Sequence, residues 1–110
     1  MNLGLVMTRK SIFEAVTQDP IELNLMILKS KLVSVIVDMI KSNGWTQKLA
    51  AEKLTISQPR VSNLYKGKLD KFSIDFLLEI LLQLGYKLEL NYRPSSLDQP
   101  MDMALKKAVL

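Results

Sequence analysis

A chain of 110 residues, 48% apolar and 24% charged, has the length and balance of one folded domain rather than a disordered segment. It holds no cysteine and no histidine, which excludes disulfides, thiolate-bound zinc, iron–sulfur clusters, a cysteine nucleophile and the usual imidazole base, so the chain is not expected to be an enzyme and no cofactor or metal is implied. Of the net charge of +4, the whole surplus lies between Trp45 and Phe72, where Lys48, Lys53, Arg60, Lys66, Lys68 and Lys71 stand against Glu52 and Asp70, the footprint of one patch that meets a polyanion.

Along the chain, residues 1–18 read as an N-terminal arm. In residues 1–10 the charges follow the apolar residues, the reverse of a secretory signal. The longest apolar stretches, such as residues 32–37, fall far short of the roughly 20 residues a bilayer span needs. No membrane partner is expected, and the expected location is the cytoplasm. Asp19-Pro20 with Glu22 reads as an N-cap, a first-turn proline and an acidic residue at the positive helix end. A helix of about 23 residues follows, with Leu25, Leu28, Leu32, Val35, Ile36, Met39 and Ile40 on its inner stripe and Asn43-Gly44 as its stop. It also carries Leu23, Met26, Ile27, Val33 and Val37 off that stripe, which suggests either deeper burial or a second partner surface.

Thr46 caps a short helix, residues 47–54, with Ala50, Ala51 and Leu54 on one side and Lys48 and Glu52 on the other. Thr55-Ile56 breaks it. Ser57 caps the next, residues 58–66, with Pro59 in the first turn and Gly67 at the end. Ser73 caps another, residues 74–84, expected to turn Ile74, Leu77, Leu78, Leu81 and Leu82 inward before Gly85. Asp75 and Glu79, four apart, read as a solvated face rather than a metal site. From Tyr86 the period changes to two, with Tyr86, Leu88, Leu90 and Tyr92 on one face and Lys87, Glu89, Asn91 and Arg93 on the other. This strand must pair with a twofold mate, with the apolar segment 3–7, or with a protein partner. Trp45 and the tyrosines read as packing residues. Residues 94–100 read as a linker, and residues 101–110 as a short tail helix, so that 94–110 form a flexible tail and 19–93 the folded domain.

The segment from Trp45 to Gly67 carries the function. Two helices of about eight residues joined by a three-residue turn have the geometry that presents the second helix to a DNA major groove. Ala51 is small where the helices cross, and Leu54, Ile56, Val61 and Leu64 are spaced to fill the wedge between them. With Val61, Leu64 and Tyr65 turned inward, Pro59, Ser62, Asn63 and Lys66 fall outermost, flanked by Gln58 and Arg60. The Gln and Asn amides suit bidentate pairing with adenine, and Arg60 suits guanine or a phosphate. Gln47 opens the first helix, where it can meet a phosphate and brace Gln58. Ser57 belongs to the same tip, and Lys66, Lys68 and Lys71 read as backbone contacts.

The run Trp45-Thr46-Gln47, Ala51, Leu54, Ile56-Ser57-Gln58-Pro59-Arg60-Val61-Ser62-Asn63-Leu64, Lys66-Gly67-Lys68 resembles the helix-turn-helix of the Cro-type or XRE repressor family. Thr55 departs from it, standing where the family often has glycine. The wider stretch, residues 13–93, is similar to the XRE-type antitoxins of the HigA-like group. The resemblance implies an all-α, five-helix-type helix-turn-helix DNA-binding domain with one C-terminal β-strand. It also implies a homodimer on a palindromic operator in double-stranded DNA, a repressor of its own promoter, and a cognate messenger-RNA-cleaving toxin as second partner. The competing reading is a toxin-sequestering interaction module in which DNA binding is secondary, or a solitary regulator with no toxin.

Overall fold

The structure, a computed structural model, describes residues 9–108. Five α-helices are followed by a two-stranded antiparallel sheet: α1 (Arg9–Glu14), α2 (Pro20–Ser42), α3 (Gln47–Leu54), α4 (Gln58–Tyr65), a single 3₁₀ turn (Leu69–Lys71), α5 (Ile74–Gln83), β1 (Tyr86–Tyr92) and β2 (Met101–Lys107). The chain is thus mostly helical, with α1 inside the segment read as an arm. No helix of the described residues is long and apolar enough to cross a membrane.

Local chemistry starts each helix where the sequence places it. The side chains of Asp19, Thr46, Ser57 and Ser73 accept hydrogen bonds from the backbone N–H of Ile21, Leu49, Arg60 and Phe76, satisfying donors that a first helical turn leaves unpaired. The core then gathers Leu32, Val33, Ile36 and Ile40 of α2, Ala50, Ala51 and Leu54 of α3, Val61 and Leu64 of α4, Phe72, and Leu77, Ile80 and Leu81 of α5. Burying a Leu or Ile side chain of this kind contributes about 1.5–3 kcal/mol each.

Two helix faces differ from the expected ones. On α2, Val33 is buried, while Leu25, Leu28 and Val35 are exposed. The first half of α2 lies beyond the core, and in the second half the packed stripe is rotated by part of a turn. On α5, Ile80 is buried and Leu82 exposed, because the helix packs along the 77, 80, 81 edge. Tyr92 is exposed rather than packed, whereas Trp45, Tyr65 and Tyr86 are half-buried.

The tail is the larger correction. Residues 101–107 form a strand, not a helix, and β1 finds its mate inside the chain, in the register Tyr86 to Lys107 through Tyr92 to Met101. There are therefore two C-terminal strands instead of one. The physical reason is the alternation of Met101, Met103 and Leu105 with Asp102, Ala104 and Lys106, which suits a ladder, while an isolated ten-residue helix is marginal in water. Arg93 N–H donates to the Pro100 carbonyl at 2.6 Å and Ser96 N–H to that of Arg93 at 3.0 Å, which closes the connection. Residues 3–7, the other candidate mate, lie outside the described residues.

The hairpin's polar face is cross-linked. Asp102 accepts from Asn91 Nδ2 at 3.0 Å and from Arg93 at 2.7 Å, and Glu89 lies 2.9 Å from Lys106 and 3.1 Å from Lys87. The hydrogen bonds from Lys106 and then Lys87 hold the Glu89 carboxyl below its ordinary value, and Glu89 in turn raises Lys106. A carboxylate with a depressed folded pKa contributes stability above its unfolded pKa and loses it as pH falls through the folded one; the raised lysine loses its contribution at the alkaline end. Hairpin amide protection, taken relative to the intrinsic exchange rate at each pH, should therefore be constant near neutrality and fall on acidification below about pH 4.5. Glu89→Gln should abolish that acid response, and NMR titration of the Glu89 carboxyl locates it.

Candidate nucleic-acid interface

The α3–turn–α4 unit is built from its junction. Ile56 N–H donates to the Ala51 carbonyl at 3.0 Å and Thr55 N–H to that of Glu52 at 3.4 Å, the paired bonds that close a helix C-terminus. This closure needs a left-handed residue at Thr55, and Thr55 adopts φ 55 and ψ 45. The equivalent positions after α2 and α4 are Gly44 and Gly67, both with positive φ. A β-branched residue in this region costs about 1–2 kcal/mol, of which glycine's extra unfolded-chain entropy would return part. Thr55 is exposed, so no packing is lost on replacement. Thr55→Gly is expected to raise stability by roughly 0.5–1 kcal/mol, a gain of a few degrees in Tm by calorimetry.

Between the helices, Ala50, Ala51, Leu54, Val61 and Leu64 are buried and Ile56 packs against them, as its spacing predicts. The opposite side of α4 is open. Gln58, Pro59, Arg60 and the capping residue Lys66 are exposed, as are Gln47 at the start of α3, Ser57 at the α4 cap, and Lys68 and Lys71 beyond it. Ser62 and Asn63, expected outermost, are half-buried. They lie on the flanks of the α4 surface, whose exposed tip is Gln58, Pro59 and Arg60. Gln47 and Gln58 share no hydrogen bond among the described residues, so the expected brace between them is not made. Ser57 Oγ already accepts from Arg60 N–H at 3.3 Å, which leaves its hydroxyl proton free to donate outward.

Residues 16–93 match the family model of a helix-turn-helix domain. The chain belongs to this helix-turn-helix family. No curated protein matches the chain significantly. Domains of this family bind DNA rather than catalyse, and their second helix is the one offered to the groove.

In this helix-turn-helix domain the six basic residues between Trp45 and Phe72 are all exposed, and none is spent in an ion pair among the described residues. Their charge is available to phosphates. One feature escapes the sequence: the Arg60 guanidinium carbon sits 4.0 Å from the centre of the Phe76 ring, and Phe76 stacks on Phe72 with centroids 5.7 Å apart. A planar cation on an aromatic face is held in orientation while its N–H edge stays free. The sequence gives no clear hint of it, because Phe72 lies in extended backbone before the α5 cap and helical spacing does not relate it to Phe76. On the inner flank, Lys41 of α2 lies 5.6 Å above the Tyr65 ring and closes the end of α4 against the long helix.

Proposed function

We propose that the chain is a sequence-specific transcriptional regulator, a homodimeric repressor of a palindromic operator, with residues 19–93 as its DNA-binding unit. The observation that carries this reading is the open tip of α4, where Gln58 and Arg60 stand exposed on a helix fixed from behind by α3, amid unpaired cations. In this reading Gln58 and Asn63 read adenine edges, while Arg60, resting on Phe76, takes guanine or a phosphate. Pro59 and Ser62 border the same edge. Gln47, Ser57, Lys66, Lys68 and Lys71 hold the sugar-phosphate backbone.

The test is a salt titration on operator and random duplex. Affinity should fall steeply with salt, and each of Lys66→Ala, Lys68→Ala and Lys71→Ala should lower the slope by about one. Gln58→Ala should instead narrow the gap between operator and random DNA by roughly 10-fold, the worth of one bidentate base contact. Failure to bind any duplex at low salt would remove the reading.

The resemblance to HigA-like antitoxins supports a finer version, in which the repressor also silences a cognate RNase toxin and regulates the operon of the pair. The exposed apolar residues Ile21, Leu25 and Leu28 of α2 favour a protein partner on that flank and keep the toxin-sequestering reading in view. Co-purification with the product of an adjacent reading frame, and loss of that product's ribonuclease activity, would establish it. A chain without such a neighbour is a solitary regulator.

A further inference from the structure

We propose that the apolar face of the β1–β2 hairpin is the contact through which two copies of this chain associate. The antiparallel register sets Leu88 opposite Leu105, Leu90 opposite Met103 and Tyr92 opposite Met101, so all six side chains share one face of the ribbon. Five of them, all but Leu88, are between 38% and 67% exposed. A ribbon of two strands is at best marginally stable unless its hydrophobic face is covered. The five exposed side chains offer roughly 600 Å² of surface, the upper end of what a monomer leaves open and most of the ~800 Å² that one partner brings to a standard interface.

The occupant follows from charge. About a twofold axis a surface meets a copy of itself, so a charged residue near the axis faces its own like charge. Those six positions carry no charge, and Lys107, on the same side, stands at the ribbon's end opposite Tyr86, while Lys87, Glu89, Arg93, Asp102 and Lys106 lie on the other side and satisfy one another there. A face whose one cation, Lys107, stands at its end is also unsuited to DNA, and the cationic helix-turn-helix surface is unsuited to self-association. The hairpin face is therefore compatible with its own copy, and the α4 surfaces stay open when it is covered. The inference rests on the proposed function only in needing two DNA-reading helices, and it names the surface that joins them.

Sedimentation equilibrium of the full chain without DNA tests it. The unmodified chain should be a dimer, and Leu90→Lys and Met103→Glu, each placing an unpaired charge in the contact, should weaken association at least about 100-fold. Val35→Lys, on the exposed side of α2, should leave the dimer intact. Hydrogen exchange on the unmodified chain guards against variants that simply unravel: hairpin amides should slow as concentration rises. A chain that stays monomeric at its highest soluble concentration, a dimer indifferent to both hairpin variants, or one broken by Val35→Lys alone would overturn the proposal. Protection of the hairpin only by a different protein would overturn it too, in favour of that partner. On DNA, the monomeric variants should still bind a half-site duplex and lose about 100-fold on the palindrome. Dimerisation without any DNA binding leaves this interface standing and removes the regulator reading; DNA binding by a monomeric chain does the reverse.

Discussion

Leu64→Ala is expected to lower the stability of the domain by about 3–4 kcal/mol, measured as a fall in urea midpoint at unchanged slope. Leu64 is 1% exposed and sits on α4 among core residues of α2 and α3. It is one of only two fully buried side chains by which the helix offered to DNA is anchored, the other being Val61. Truncation leaves a cavity between helices that cannot close without moving the α3–α4 crossing, which places the cost in the upper part of the range for buried leucines. Against a total stability of about 5–15 kcal/mol the variant still folds, with α4 loosened. Lys66→Ala, two residues on from Leu64 and exposed, is expected to change stability by no more than about 0.5 kcal/mol while weakening DNA binding. The pair separates anchoring from contact. A Leu64→Ala cost under about 1 kcal/mol would mean that α4 is not held by this core.

What was legible in the sequence is what local chemistry decides. A cap acts on a donor two or three residues away, so Asp19, Thr46, Ser57 and Ser73 mark their helix starts, and the α3–turn–α4 unit follows from such marks with its small and apolar fillers. Helix rotation is different. In α2 and α5 nearly every turn offers apolar side chains on several sides, and periodicity alone does not choose Val33 over Val35 or Ile80 over Leu82; the neighbours choose. β2 was hidden because seven alternating residues also satisfy a weak helical pattern, and the β1 edge that stabilises the strand form lies across the connection from Arg93 to Pro100. The half-burial of Ser62 and Asn63 has the same origin, since a projection of α4 alone does not show how far its neighbours rise around it. The tip residues Gln58 and Arg60, at the helix start, escape that shielding.

Arg60→Ala is expected to weaken operator binding by roughly 10- to 100-fold, the worth of one well-placed base or phosphate contact. Arg60→Lys should recover only part of this, because an ammonium keeps the charge but not the planar fork that rests on Phe76. The sharper experiment concerns the ring, which belongs to α5 and not to the helix-turn-helix pair. Phe76→Leu preserves apolar bulk beside Phe72 and removes the π face, and should cost about 2- to 5-fold in operator affinity, the value of an exposed cation–π contact. In the Arg60→Ala background the same change should cost nothing further, since no guanidinium remains to be oriented. A double-mutant cycle measured at one salt concentration, with helical content checked for each variant, decides it. Additive losses would mean that the ring only neighbours the arginine; a missing second loss means that α5 aims the residue with which α4 reads its DNA.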